Sequence, residues 1–594
     1  MTFEFQERDI DRHFSAFLCR QVEGEHSELL QLVVSLASSA VGRGNLCLNL
    51  ADVAGQTVRV NGKELPLPQL DALLELLGKS PVVSLNGHRH RPLVLDGAGR
   101  LYLYRYWRYE YDLAAIILQK AAVVTDVTDE VKLYESIKRL FPESADGLQK
   151  KAATVALQRQ FSIISGGPGT GKTSTVVRIL ALLLEQEGGR KQRIAMAAPT
   201  GKAAARLKAS VNSIRQSLDC TDEVKAAIPD DVVTIQRLLG SISDSNRFRH
   251  SSRNPLPFDT VIIDEASMVS LPLMSALVNA LKPNARLILL GDKDQLASVE
   301  AGAVLGDICN AAGEKSHASP LSASLVVLEK NYRFQAGSGI AEISRAVNAG
   351  MEVEALALLK NNASGTILWQ PSPARDELRN ALTARVVEGY QGYLEAASPK
   401  EALERFDSFR ILSALRDGPY GVSGLNTMTE NILARKGLMV PDTLFYRGRP
   451  VLVTVNDYSM RLFNGDIGIL FPDPDSGGAL RAFFPTPDGG FRSIPPERIP
   501  SHETAYAMTI HKSQGSEFDR VLMLLPPAGN ELLTRELIYT AMTRAKKSVE
   551  IWADEAVFCS AVRKKTERNS GLRDSLCGGG TLFVKTFGME LEVP

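Results

Sequence analysis

The sequence predicts an α/β fold: two parallel-sheet units, a small β-barrel inserted into the second, and a separate N-terminal domain. Three observations carry that prediction. From Phe161 onward, short apolar runs alternate with segments of helical periodicity, the pattern of a parallel sheet whose ligands gather at the carboxyl ends of its strands. A Gly- and Pro-rich, strand-like stretch at about 440–502 interrupts the second of these units. The 594 residues amount to about three to five folding units, too many for one compact domain. Hydrophobic residues at 44% and charged residues at 23% suit globular folding and exclude a disordered chain.

Taken in order, the chain opens with an acidic segment, seven acids against three arginines in its first thirty residues. Residues 29–41 and 68–77 read as helices, and 46–60 and 92–106 contain strand-like runs. Six aromatics between Tyr102 and Tyr111, interleaved with Arg105 and Arg108, have a period-2 spacing that suits a strand packed on a core or a partner. The first domain is placed at 1–112, a helical stretch follows to about 157, and the two larger units are placed at 113–345 and 346–594. In the first of these, residues 161–165, 193–198, 260–263 and 286–290 read as short buried strands, each ending in a polar cluster. Lys+Arg and Asp+Glu both number 68, which excludes a global polycation, so any grip on nucleic acid must be local. The six cysteines are scattered with no C-x-x-C pair, which argues against a disulfide framework and fits a reducing compartment. No apolar run approaches the roughly 18 residues of a membrane span, and the first residues lack a signal-peptide core; a cytoplasmic location is expected.

Gly166-Gly167-Pro168-Gly169-Thr170-Gly171-Lys172-Thr173 fits G-x-x-x-x-G-K-[ST] between a strand and a helix. Glycines let consecutive backbone N–H groups curl around phosphate oxygens, and the helix beginning at Lys172 adds the positive end of its dipole. Lys172 is expected on the β- and γ-phosphates and the Thr173 hydroxyl on Mg²⁺. Val261-Ile262-Ile263-Asp264-Glu265 supplies the second half, 92 residues beyond Lys172. Asp264 is expected to hold magnesium through water, and Glu265 to polarise the attacking water. The two motifs together predict hydrolysis of a nucleoside triphosphate, with ATP and Mg²⁺ as the expected ligands.

Further motifs carry a resemblance. Gln149 in GLQKKA, the run Ala198–Ala204 (APTGKAA), Gly291–Leu296 (GDKDQL), Asn331–Phe334 (NYRF), Thr509–Glu517 (TIHKSQGSE) and Tyr539–Ala545 (YTAMTRA) resemble, in order and spacing, the ordered motifs of superfamily 1 helicases. The 448–468 stretch resembles the inserted barrel of the 5′→3′ branch, and LSALRDGPYGV, HKSQGSEFD and TRELIYTAMTRA are similar to the RecD family of exonuclease V subunits. The resemblance covers about two thirds of the chain and implies two RecA-like P-loop domains with an SH3-like insert. It implies that Gln149 reads adenine, that Gln295 senses the γ-phosphate, and that Arg333 and Arg544 face the triphosphate. It also implies that Thr200, Lys202, Thr509 and His511 grip DNA. Gln236 departs from the family's usual histidine.

What the resemblance implies overall is an ATP-dependent 5′→3′ DNA helicase subunit acting in double-strand break repair with RecB- and RecC-type partners, itself without a nuclease site. A standalone RecD-like helicase and a structural subunit with a dispensable ATPase are the alternatives. The first 112 residues lie outside the helicase motifs and carry 12 basic against 13 acidic residues over 1–110, so they are expected to dock protein rather than phosphate.

Overall fold

A computed structural model describes every residue except 1, 21–26, 126–129, 142–145, 187–191, 243–244, 246, 314–318, 334–338, 362–364, 441–442, 458, 487–488 and 579–594. Phe334 of the NYRF run and the tail beyond Gly578 therefore lie outside the described residues.

The first large unit is a six-stranded, all-parallel sheet. Its strands are β1 (Phe161–Gly166), β2 (Ile194–Ala198), β3 (Val232–Thr234), β4 (Thr260–Ile263), β5 (Arg286–Gly291) and β6 (Leu325–Leu328), in the order β3-β2-β4-β5-β1-β6. Four of the six, β1, β2, β4 and β5, lie within a residue of the runs read from sequence, while β3 and β6 were not read. Strands buried on both faces need continuous apolar runs, and β1, β2 and β4 are buried at every position. The second unit repeats the design with β7 (Ile367–Gln370), β8 (Phe409–Ser413), β9 (Ala507–Thr509), β10 (Phe518–Leu524) and β11 (Ala545–Trp552), all parallel, in the order β7-β11-β10-β8-β9. Between β8 and β9, residues 450–504 form an antiparallel five-stranded sheet over its own small core of Val451, Leu470 and Phe484.

The aromatic run departs from the expected strand. Arg100–Leu103 is a strand, but helix α1 (Tyr104–Ala122) begins at Tyr104. Its residues pair at i,i+4: Trp107 stacks on Tyr111 with centroids 5.2 Å apart, Arg105 donates to Tyr109 Oη, and Arg108 pairs with Asp112. Aromatics at period 2 also fall at period 4, and the buried positions Glu110, Leu113, Ala114 and Ile117 choose the helix. Trp107 lies against Gly87, where an added Cβ would come 2.1 Å from the indole.

Both expected domain seams fall inside helices. Residue 112 lies within α1, whose Leu113, Ile117 and Ala121 share a core with Ile163, Val261 and Leu287 of the first sheet. Residue 345 lies within the Gly339–Ala349 helix, whose Ile340, Ile343 and Val347 belong to the core of the second unit. The helix, not the expected boundary, decides which core each segment joins.

The chain then returns on itself. After the second unit, Arg568 Nη1 donates to the carbonyls of Glu300 and Gly302 at 2.8 Å, and Asn569 bonds both Asn45 and the Leu46 N–H. A short helix, α5 (Leu572–Cys577), is pinned by Arg100–Asp574 at 2.6 Å, with Leu572 and Leu576 in the core that α1 shares. This strap joins the N-terminal domain and both large units.

Candidate functional site

The phosphate loop follows β1 and leads into α2 (Lys172–Gln186). Gly169 and Gly171 adopt φ of 83° and 82°, the left-handed region that only glycine enters without strain. Neither has room for a side chain: a Cβ on Gly169 would meet Arg333 Cβ at 2.5 Å, and one on Gly171 would meet Gln149 Nε2 at 2.5 Å. Gln149 is buried and donates to the Thr170 carbonyl at 3.3 Å, so the helix preceding β1 touches the loop as the motif order implied. Lys172 Nζ folds back onto the carbonyls of Gly166 and Gly167.

Asp264 follows β4, beside β5 and next but one to β1 in the sheet, so Lys172 and Asp264 meet at one carboxyl edge. Burial and the adjacent Glu265 push the Asp264 carboxyl above the usual carboxylate range, with the charges of Lys172 and Arg206 opposing. A carboxylate in that position is stabilised by an arriving cation. Among the described residues no three His, Cys, Asp or Glu side chains form an all-protein metal cage. The donor set of one hydroxyl, Thr173, and one carboxylate, Asp264, instead fits Mg²⁺ completed by phosphate and water oxygens. Glu265 is held at φ 51°, a conformation that costs a non-glycine residue about 1–3 kcal/mol and clusters at functional sites.

Two arginines reach the cleft differently. Arg333, just beyond β6, pairs with Glu517 of the second unit; Arg206, on helix α3 (Gly201–Ser217), pairs with the same carboxylate oxygen. Arg333 Nη1 is buried with no hydrogen-bond partner. Arg544 is 2% exposed and spends its donors within its own unit, on the carbonyls of Thr540 and Ser516 at 3.0 and 3.3 Å. Burial lowers its pKa, with the charges of Glu265 and Glu517 opposing.

The DNA-facing candidates sit at the same seam. Thr200 caps α3, accepting from the Ala203 N–H at 3.2 Å, and Thr509 accepts from the Lys512 N–H at 3.2 Å. Lys202 lies over the Phe518 ring of the second unit at 6.0 Å, and burial lowers its pKa. Burial likewise lowers that of His511. Each threonine hydroxyl is thus used first to shape its own loop.

Several groups at this site carry no role in the sequence reading. Asp292 is 2% exposed and accepts from Gln295 Nε2 and from Tyr539 Oη, which lies on helix α4 (Arg535–Met542) of the second unit. Leu296 N–H donates to Thr540 Oγ1 at 3.0 Å, and the Leu296 carbonyl accepts from Gln514 Nε2 at 2.8 Å. Arg206 and Glu517 complete the set. Asp292, Tyr539, Gln514 and Glu517 lie within the quoted motifs, but only the folded chain brings them together.

Comparison with known proteins gives the same grouping. Residues 7–102 match the N-terminal domain family of the RecBCD enzyme subunit RecD, 149–301 the AAA domain and 504–551 the UvrD-like helicase C-terminal domain. The RecBCD enzyme subunit RecD of Mycobacterium tuberculosis (strain ATCC 25618 / H37Rv) is 39% identical over 580 residues, covering 96% of this chain and 95% of that protein. The chain belongs to the RecD family. The RecD subunit of Haemophilus influenzae is 36% identical over 524 residues, 80% of each chain. The ATP-dependent RecD2 DNA helicase of Deinococcus radiodurans is 30% identical over 487 residues, covering 81% of this chain but 59% of that protein. The near full-length match to RecD subunits, with the RecD N-terminal domain included, sets this chain with the subunit type rather than the standalone type. No helix among the described residues is long and apolar enough to cross a membrane.

Proposed function

We propose that this chain is the ATP-dependent DNA helicase subunit of a RecBCD-type helicase–nuclease and moves 5′→3′ by opening and closing the cleft between its two RecA-like units. The observation that carries this reading is the convergence of the phosphate loop, Asp264, Glu265 and Gln295 from one unit with Tyr539, Gln514 and Glu517 from the other on a single seam. ATP binding at such a seam exchanges contacts within the protein for contacts to the charged phosphates. Lys172 leaves two backbone carbonyls for phosphate oxygens, and Arg333, with one nitrogen already lacking a partner, turns from Glu517 to the same group. Gln149 takes the adenine edge. Thr173 and Asp264 would hold Mg²⁺, which would supply positive charge against the β- and γ-phosphates. Glu265 then accepts a proton from the attacking water. Arg544 is buried as the site stands, so its approach to the phosphate needs α4 to shift.

Thr200, Lys202, Thr509 and His511 form the strand grip, two from each unit, so that closure and opening move one pair relative to the other. The sheet at 450–504 serves as the SH3-like insert of the 5′→3′ branch. Among the described residues no nuclease centre is assigned: the acid–lysine run Asp222-Glu223-Val224-Lys225 lies on a six-residue helix with no buried residue. Cleavage belongs to a partner. Docking runs through the N-terminal domain, where Ile10 and Phe17, seven apart on the Asp9–Cys19 helix, are 66% and 58% exposed. Trp107 instead packs on Tyr111 and against Gly87.

Unwinding of duplexes with a 5′ or a 3′ single-stranded tail tests the proposal. ATP-dependent opening of the 5′-tailed duplex alone is expected. Opening of only the 3′-tailed duplex overturns the polarity, and opening of neither by the chain or its complex overturns the helicase role.

A further inference from the structure

One buried oxygen joins the two units directly over the phosphate loop. Asp292 Oδ2 accepts from Gln295 Nε2 at 3.0 Å and from Tyr539 Oη at 2.9 Å, while Oδ1 accepts from the Asp294 N–H at 3.1 Å. The tyrosine hydroxyl also lies against the loop itself: a Cβ on Gly167 would come 2.8 Å from Tyr539 Oη and 3.9 Å from Asp292 Oδ2. Gly167 occupies a variable position of the loop motif, and this hydroxyl explains why the smallest residue stands there.

The arrangement fixes the chemistry of Gln295. An ionised carboxylate oxygen only accepts, so the amide group on Asp292 must be the NH₂ end, and the carbonyl Oε1 is the other end. Oε1 is buried and has no hydrogen-bond partner. An unpaired buried carbonyl is costly, and the cost is relieved by any donor that arrives. Water in an occupied nucleotide site is such a donor; a phosphate oxygen, which only accepts, is not. Gln295 held in this way is suited to orient the attacking water rather than to donate to the γ-phosphate. The holding atom comes from the other unit. Without Tyr539 Oη, Asp292 has one donor fewer, and the Gln295 amide is freer to turn.

The geometry points to Tyr539 as a positioning residue for hydrolysis: by bonding Asp292 across the cleft it fixes Gln295 with its acceptor oxygen available to water, so that the water-orienting geometry exists only when the two units are closed. This rests on the nucleotide-site assignment above, which the control below tests separately. Leu296, gripped by Thr540 and Gln514, keeps the same loop in register during closure.

The experiment uses the full chain and compares Tyr539→Phe, Gln295→Ala and the double variant for ATP turnover with and without single-stranded DNA, with thermal unfolding as a check on folding. Tyr539→Phe keeps the ring and removes one oxygen. Its DNA-stimulated kcat should fall about tenfold and its KM for ATP change less than about twofold, with a smaller loss in the absence of DNA. In the Gln295→Ala background the same change should add little, because the two act in series. Losses that multiply in the double variant, an equal loss with and without DNA, a raised KM at unchanged kcat, or no loss at all would each overturn the proposal. If Lys172→Gln retained full turnover, the nucleotide site itself would be misplaced, a result distinct from all of these.

Discussion

Replacing Glu110 with Gln probes the strap that returns from the second motor unit to the first domain. Glu110 is 4% exposed and accepts from Tyr102 Oη at 3.2 Å, Ser570 Oγ at 3.3 Å and the Gly571 N–H at 3.2 Å. Burial pushes its carboxyl from 4.5 up to about 7, with the Gly571 N–H, Arg100 and Tyr102 opposing. A pKa raised on folding means that the folded chain favours the protonated acid. The resulting stabilisation is complete below the unfolded value near 4.5 and is lost as pH rises through about 7. At 1.36 kcal/mol per pH unit, the interval amounts to at most about 3 kcal/mol. Gln is neutral throughout and still offers a carbonyl to Gly571. Calorimetric unfolding of both proteins from pH 4.5 to 8.5, at one scan rate, should show the parent losing about 2–3 kcal/mol relative to the variant across that window. Protection from hydrogen exchange within α5, relative to the intrinsic rate at each pH, should fall over the same range in the parent only. Asp307, pushed up to about 6 by burial, titrates nearby in both proteins, and its charge is one of the causes that raise Glu110. Parallel pH profiles would refute the reasoning, because they would mean that Glu110 is ionised in the folded chain at no cost.

Lys172→Gln should reduce ATP turnover to background while thermal unfolding stays near the parent's, since the side chain is bonded only to two loop carbonyls. Glu265→Gln should still bind ATP with Mg²⁺ and hydrolyse it slowly, checked by nucleotide binding beside turnover, because Asp264 remains. Arg333→Ala and Arg544→Ala should both lower DNA-stimulated turnover by about 10²-fold or more, on the arginine-finger scale. They should differ in stability. Arg544→Ala removes charged donors from the Thr540 and Ser516 carbonyls and should cost about 2–4 kcal/mol, whereas Arg333→Ala leaves Glu517 paired with Arg206 and should cost less than about 1 kcal/mol.

The parallel sheets and the phosphate loop were legible because their signals are local. Apolar runs such as Val261–Ile263 can only be buried strands in an alternating α/β chain, and the loop's glycines are spaced for one ligand. The aromatic run was read with the wrong period because Tyr102 to Tyr111 satisfies both periods, and the decision comes from Leu113 and Ile117, which pack on another domain. Both expected seams cut a helix, because α1 and the Gly339–Ala349 helix each pack along their length on one core and carry no local break at residue 112 or 345. Nothing local reveals the strap, whose Arg100–Asp574 pair spans 474 residues, or the Tyr539–Asp292 bond, which spans 247. Motif spacing picked out the residues proposed to touch nucleotide, but Tyr539, Gln514 and Glu517, which bond to the first unit, lie across a cleft that only folding creates.

The seam between the two units is proposed as an ATP-hydrolysing site governed by a nucleic-acid strand. The most direct test is steady-state ATP turnover by the intact chain with and without single-stranded DNA, beside Lys172→Gln under the same conditions. Turnover that rises at least about tenfold with DNA and vanishes in the variant is the predicted result. Turnover indifferent to DNA, or undiminished in Lys172→Gln, would contradict it.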